Sequence, residues 1–126
     1  MNFKFMRIWH EQLIPKLCQK HLCAMWREGL RAYSIITENN KGYRNHPAVK
    51  EFENAPSHLF LRLLSVRREM IIRGYKPKEI CVNHSSLWFD KKTGQAYILG
   101  KETIKEWQSL DEQIKILKAK GCKCKV

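Results

Sequence analysis

The residue types best suited to chemistry gather in Trp26-Arg27-Glu28-Gly29-Leu30-Arg31. Arg27 and Arg31 stand four residues apart, which on a helix places both guanidiniums on one face. A guanidinium presents a planar fork of donors that matches phosphate oxygens. Glu28 beside them sets a carboxylate inside a phosphate-binding rim, where it can stabilise a developing cation or move protons. The same residues also fit a solvated helix glutamate paired with Arg31. His21, one or two turns earlier, suits either a sugar-phosphate contact or a hydrogen-bonded structural role. His46, before Val49 and Phe52, is a further contact candidate. Trp88, Phe89 and Tyr97 with Lys91 and Lys92 form an aromatic-basic cluster. Such a cluster can stack on or wedge beside an unstacked base, or it can fix a hairpin to the core.

Those residues sit in a strongly basic chain. Of 126 residues, 24 are Lys or Arg and 12 are Asp or Glu, a net charge of +12. Half of the cations have no acidic counterpart, the footprint of a protein that meets a polyanion. Nucleic acid is the first candidate and an anionic membrane surface the second. Apolar residues make up 44% and charged residues 29%, with 6 Gly and 4 Pro, which argues against a disordered or fibrous chain. The length fits one domain with a core of its own. No apolar run is long enough to span a bilayer and no secretory h-region is visible, so an intracellular, cytoplasmic protein is expected. The five cysteines, Cys18, Cys23, Cys81, Cys122 and Cys124, are odd in number and irregularly spaced, and read as reduced thiols. Cys122-Lys-Cys124 is half a soft-metal site at best, with no Cys-x-x-Cys or His-x-x-x-His partner elsewhere; no metal and no cofactor are expected.

The elements that must position these groups are helical. From Ile14-Pro15-Lys16-Leu17 to about Glu38, apolar residues recur at three- and four-residue steps: Leu17, His21, Leu22, Met25, Ala32, Tyr33 and Ile36. Pro15 suits a first turn, and Gly29 predicts a bend or a close contact. Residues 41–56 read as a connecting loop. A second helix is expected from Pro56 to Arg73, with Leu59, Leu63, Val66 and Met70 as its stripe, Phe60, Leu64 and Ile71 widening it, and Gly74 ending it. Segments 87–90 and 95–99 flank a turn at 91–94 and read as a β-hairpin. A third helix is expected over about Thr103–Lys120, with Thr103 and Glu106 as a capping box and Gly121 as its stop. Trp9, Trp26 and Trp107 are expected in the core. The fold class is mainly α, a bundle of about three helices with a hairpin insertion. Residues 1–5 stand apart as an extension, 6–121 form the domain, and 122–126 form a basic, mobile tail.

Several motifs in order then suggest a family. Arg7-Ile8, Leu17, His21-Leu22, Trp26-Arg27-Glu28 and Arg31 resemble the pattern of the pyrimidine-dimer DNA glycosylase (endonuclease V) family of phages. Its bacterial members look closer still, through Met6-Arg7-Ile8-Trp9-His10-Glu11 and Leu13-Ile14-Pro15-Lys16-Leu17. Arg73-Gly74-Tyr75-Lys76-Pro77 also looks similar, so the resemblance covers about residues 6–77.

A monomer is expected. The resemblance implies a compact helical protein that binds ultraviolet-damaged duplex DNA, cleaves a glycosidic bond of a pyrimidine dimer and nicks the abasic strand, without a metal. It implies that an α-amine at the chain start attacks the sugar and forms an imine. An α-amine has a pKa of about 7.7–8.0 against about 10.4 for Lys, so much more of it is neutral near pH 7. The nucleophile's position falls on Met6, with MNFKF preceding it. A start at Met6 places the amine correctly; a start at Met1 leaves it five residues away, with Lys4 as an internal substitute. The resemblance makes Glu28 the essential carboxylate and Arg7, Arg27 and Arg31 DNA contacts. The alternatives are a DNA-binding protein of the same fold without catalysis, and a basic membrane-surface or RNA-binding protein.

Overall fold

A computed structural model describes residues 7–38, 45–82, 84, 86–90 and 92–126, with the backbone alone for Phe89. The expectations placed on Met1–Met6 and Lys91, and on the Phe89 side chain, lie outside the described residues.

Two long helices carry the apolar stripes that the spacing predicts. Helix α1 spans Gln19–Thr37 and buries Leu22, Met25, Trp26, Gly29, Ala32, Tyr33 and Ile35. Helix α3 spans Pro56–Ile72 and buries Leu59, Phe60, Leu63, Val66 and Met70. The two pack across Gly29: a Cβ there would stand 2.4 Å from Leu63 Cδ2. Gly29 thus marks a close approach between helices, one of the two outcomes its position suggests. Ile71, expected to widen the stripe of α3, is instead 49% exposed, because the last turn of α3 runs past the edge of the core.

The start of α1 differs from expectation. Glu11–Lys16 forms a separate 3-10 helix containing Pro15, and an extended step at Leu17 and Cys18 precedes α1. The 3-10 helix is capped by His10, whose Nδ1 accepts from the Gln12 N–H at 3.1 Å. The loop expected at 41–56 contains a short helix, α2, over Pro47–Phe52. Pro47 occupies its first turn and His46 Nδ1 accepts from the Ala48 N–H at 3.1 Å. Histidine lies outside the usual Ser, Thr, Asp and Asn cap set, so neither start announces itself in sequence.

The hairpin forms as expected, with β1 (Leu87–Phe89) antiparallel to β2 (Ala96–Ile98) and Trp88 facing Tyr97. The third long helix is shorter than expected: α4 spans Leu110–Ala119 and is capped by Ser109, whose hydroxyl accepts from the Glu112 N–H at 3.2 Å. Thr103 and Glu106 do not start the helix: residues 102–106 carry no regular structure and 107–108 form a bend, and other partners hold the segment. Glu102 accepts from the Ser57 N–H at 2.9 Å and the Ser57 hydroxyl at 2.5 Å, serving as the acidic cap of α3. The Lys105 N–H donates to the Glu51 carbonyl at 2.9 Å. Ser109-x-x-Glu112 offers the same cap signature one and a half turns later, free of those ties.

After α4 the chain turns at Gly121, with φ +62°, a backbone region that disfavours other side chains. The tail then returns to the domain instead of projecting from it. The Lys125 N–H donates to the Lys16 carbonyl at 2.8 Å, and the Cys18 N–H to Cys124 Sγ at 3.1 Å. Among the described residues no helix is long and apolar enough to cross a membrane.

Candidate active site

Glu28 lies on α1 one residue before the Gly29–Leu63 contact, so the packing of α1 on α3 fixes its Cα. Its Oε2 accepts from the Arg7 backbone N–H at 3.0 Å. The backbone at Arg7 is therefore tied to α1 by the carboxylate itself. Burial raises the Glu28 carboxyl above its ordinary range; the Arg7 N–H bond and the charges of Arg27, Lys120 and Arg7 partly offset it. The result is a half-buried carboxylate ringed by cations, able to hold a proton more readily than a free glutamate.

Arg7 is positioned from three sides. Its guanidinium donates to Gln108 Oε1. Its Cζ lies 5.3 Å from the Trp9 ring centroid and 4.9 Å from that of Trp107, a cation held between two indoles. Burial lowers its pKa and the Glu28 charge opposes that. Trp9 and Trp26 are core residues as expected. Trp107 is not: it is half-buried, covering Arg7 on one side and meeting His46 edge-on at 6.4 Å. The Trp107 backbone N–H also favours the ionised Glu51 carboxyl of α2, partly offsetting the effect of burial there.

The remaining expected contacts are distributed. Arg27 and Arg31 are exposed on α1 beside Glu28. His21 turns Nδ1 to sulfur, 3.2 Å from Cys18 Sγ and 3.3 Å from Cys124 Sγ, and burial with the nearby Lys120 and Lys20 lowers its pKa. His46 spends Nδ1 on the cap of α2. Lys92 is exposed in the hairpin turn, its N–H donating to Asp90 Oδ1 at 2.9 Å. That turn reaches α3, where Thr93 and Gly94 help line a cleft with Arg67 and Arg68. Trp88 and Tyr97 stack on each other at 5.6 Å, 48% and 53% exposed, so they do not anchor the hairpin; Leu87 on the opposite face does.

Gln108, Trp107 and Lys120 belong to the surroundings of Glu28 and Arg7 but escape sequence reading. Each is far from Glu28 in the chain: Gln108 and Trp107 meet Arg7 from the segment before α4, and Lys120 acts on Glu28 from the end of α4. Cys18-x-x-His21 did carry a signal, a two-ligand spacing at a helix start.

The fold and site together define a basic, mainly α-helical protein with a half-buried carboxylate among arginines. Over residues 6–83 the chain matches the family described as pyrimidine dimer DNA glycosylase, more than half of its length, and it belongs to that family. No curated protein and no solved structure matches it.

Proposed function

We propose that the protein is a DNA-repair glycosylase with abasic-site lyase activity, acting inside the cell as a monomer on pyrimidine dimers in duplex DNA. The observation that carries this reading is the 3.0 Å bond from the Arg7 N–H to Glu28. The backbone one residue after Met6 is bonded to the carboxylate, so a chain beginning at Met6 carries its α-amine one residue from Glu28.

In the proposed reaction the neutral amine attacks C1′ of the damaged nucleotide. The glycosidic C1′–N1 bond breaks and its electron pair leaves with the base. The attached nitrogen loses a proton, the sugar ring opens at O4′, which is protonated, and an iminium forms at C1′. The iminium acidifies C2′–H; loss of that proton breaks the C3′–O bond and expels the 3′ phosphate. Glu28 opposes the positive charge that builds on the sugar and carries protons between these steps. Arg7, Arg27 and Arg31 meet the flanking phosphates, and the exposed Trp88–Tyr97 pair with Lys91 and Lys92 contacts DNA farther along.

Incubation of a protein beginning at Met6 with ultraviolet-irradiated and untreated supercoiled plasmid tests this reading. Nicking of the irradiated plasmid alone is expected. Binding to irradiated plasmid without nicking would support the non-catalytic alternative, and no preference between the two plasmids would remove the dimer-specific reading.

A further inference from the structure

A second cluster of chemistry-bearing side chains stands where the C-terminal tail meets the start of α1. Cys18 caps α1 and makes no side-chain cap bond. His21 follows three residues later on the same side of the first turn. Cys122 and Cys124 arrive from the other end of the chain, directed there by the turn at Gly121. The four ligand atoms, three Sγ and one imidazole nitrogen, lie within 4.8 Å of one another.

These distances suit one ion. A tetrahedral zinc with Zn–S of about 2.3 Å and Zn–N of about 2.0 Å has ligand–ligand edges of roughly 3.5–3.8 Å. The two edges from His21 Nδ1, 3.2 Å to Cys18 and 3.3 Å to Cys124, are already close to that figure. The donor set also has a definite chemistry. Three thiolates and an imidazole are soft ligands that favour zinc over hard cations. All four positions come from the protein, as in structural sites; catalytic sites keep one position open. Outer partners are present as well: the Cys18 N–H donates to Cys124 Sγ at 3.1 Å. Three thiolates around a divalent ion leave one negative charge, and Lys20, Lys120 and Lys123 line the same cleft. The sulfurs are not paired as disulfides.

We propose that Cys18, His21, Cys122 and Cys124 form a structural zinc site that staples the C-terminal tail to the first turn of α1. The half-site visible as Cys122-Lys-Cys124 is completed by Cys18-x-x-His21, 103 residues away between His21 and Cys124. The metal holds the end of α4 in place, and with it Lys120, whose charge acts on Glu28.

The test uses the full chain, purified under reducing conditions, stripped of metal and titrated with Co²⁺. One Co²⁺ per chain is expected, with strong visible bands of tetrahedral cobalt, thiolate-to-metal charge transfer, and displacement by Zn²⁺. The Cys81→Ser chain should behave identically. Cys124→Ser should weaken zinc affinity by more than the roughly 10–100-fold that loss of an outer partner costs. The parental spectrum itself counts thiolates, so the result stands even if a variant fails to fold. Cobalt bound without thiolate charge transfer, an unchanged spectrum in Cys124→Ser, or a reduced, folded chain that binds no Co²⁺ would each overturn the proposal.

Discussion

At Glu28, burial and electrostatics oppose each other. Desolvation favours the protonated acid, while the Arg7 N–H and the charges of Arg27, Lys120 and Arg7 favour the anion; burial wins and the pKa rises. A carboxyl poised in this way can both face a cation and exchange protons. Glu28→Gln keeps the size and the acceptor for the Arg7 N–H but removes the charge. Nicking of irradiated DNA is expected to fall by about 10²–10³, the usual cost of removing a group aimed at developing charge. Binding to phosphate should persist, because the change removes a negative charge. Gel-shift and plasmid-nicking assays on the same preparation check both halves, and an unaltered nicking rate would reduce Glu28 to a structural acceptor.

Among the elements, the α1–α3 contact sets the position of Glu28, and Gly29 makes that contact possible. Gly29→Ala gains about 1 kcal/mol of helix propensity. It also drives a methyl against Leu63 Cδ2, whose side chain is fully buried and must shift within the core, at about 1–3 kcal/mol for overpacking. A net loss of roughly 1 kcal/mol in urea unfolding is expected; a gain in stability would show that the helices separate freely there. Helix α2 supplies a pH-dependent element. Burial pushes Glu51 to about 7, against the 3.7 Å ion pair with Arg62. The folded chain therefore holds this proton more tightly than the unfolded chain, whose Glu51 titrates near 4.5. Stability falls as pH rises from about 4.5 through 7, by up to roughly 3 kcal/mol from this group. Glu51→Gln should gain on the parent by that amount between pH 5 and 8 in paired denaturation curves; parallel curves would contradict it. These elements were legible in sequence to different depths. The stripes of α1 and α3, the hairpin and the stop at Gly121 follow from local periodicity and turn chemistry. The histidine-capped helices, the shortened α4 and the return of the tail depend on partners distant in sequence, such as Glu102 for α3 and Lys16 for the tail. For the same reason Glu28, Arg27 and Arg31 were legible as a group, while Gln108, Trp107 and Lys120 were not.

Over the whole molecule the excess of cations governs the encounter with DNA. With a net charge of +12, binding to duplex is expected to be strongly salt-dependent, each neutralised phosphate adding about 0.9 to the slope of log K against log salt. A flat titration between low and physiological salt would remove the nucleic-acid reading. Charge brings the protein to DNA, but the proposed covalent chemistry requires an amine held beside Glu28. Borohydride reduction during reaction with abasic duplex makes an imine permanent and is the most direct measurement of that requirement. A protein beginning at Met6 should be trapped efficiently, with the adduct mapped to the Met6 amine. One beginning at Met1 should trap far less, because displacement of a reacting group by even about 1 Å can cost roughly a hundredfold. An adduct at Lys4, or no adduct from either protein while both bind irradiated DNA, would contradict the proposed nucleophile, and the second result would leave a DNA-binding protein without catalysis.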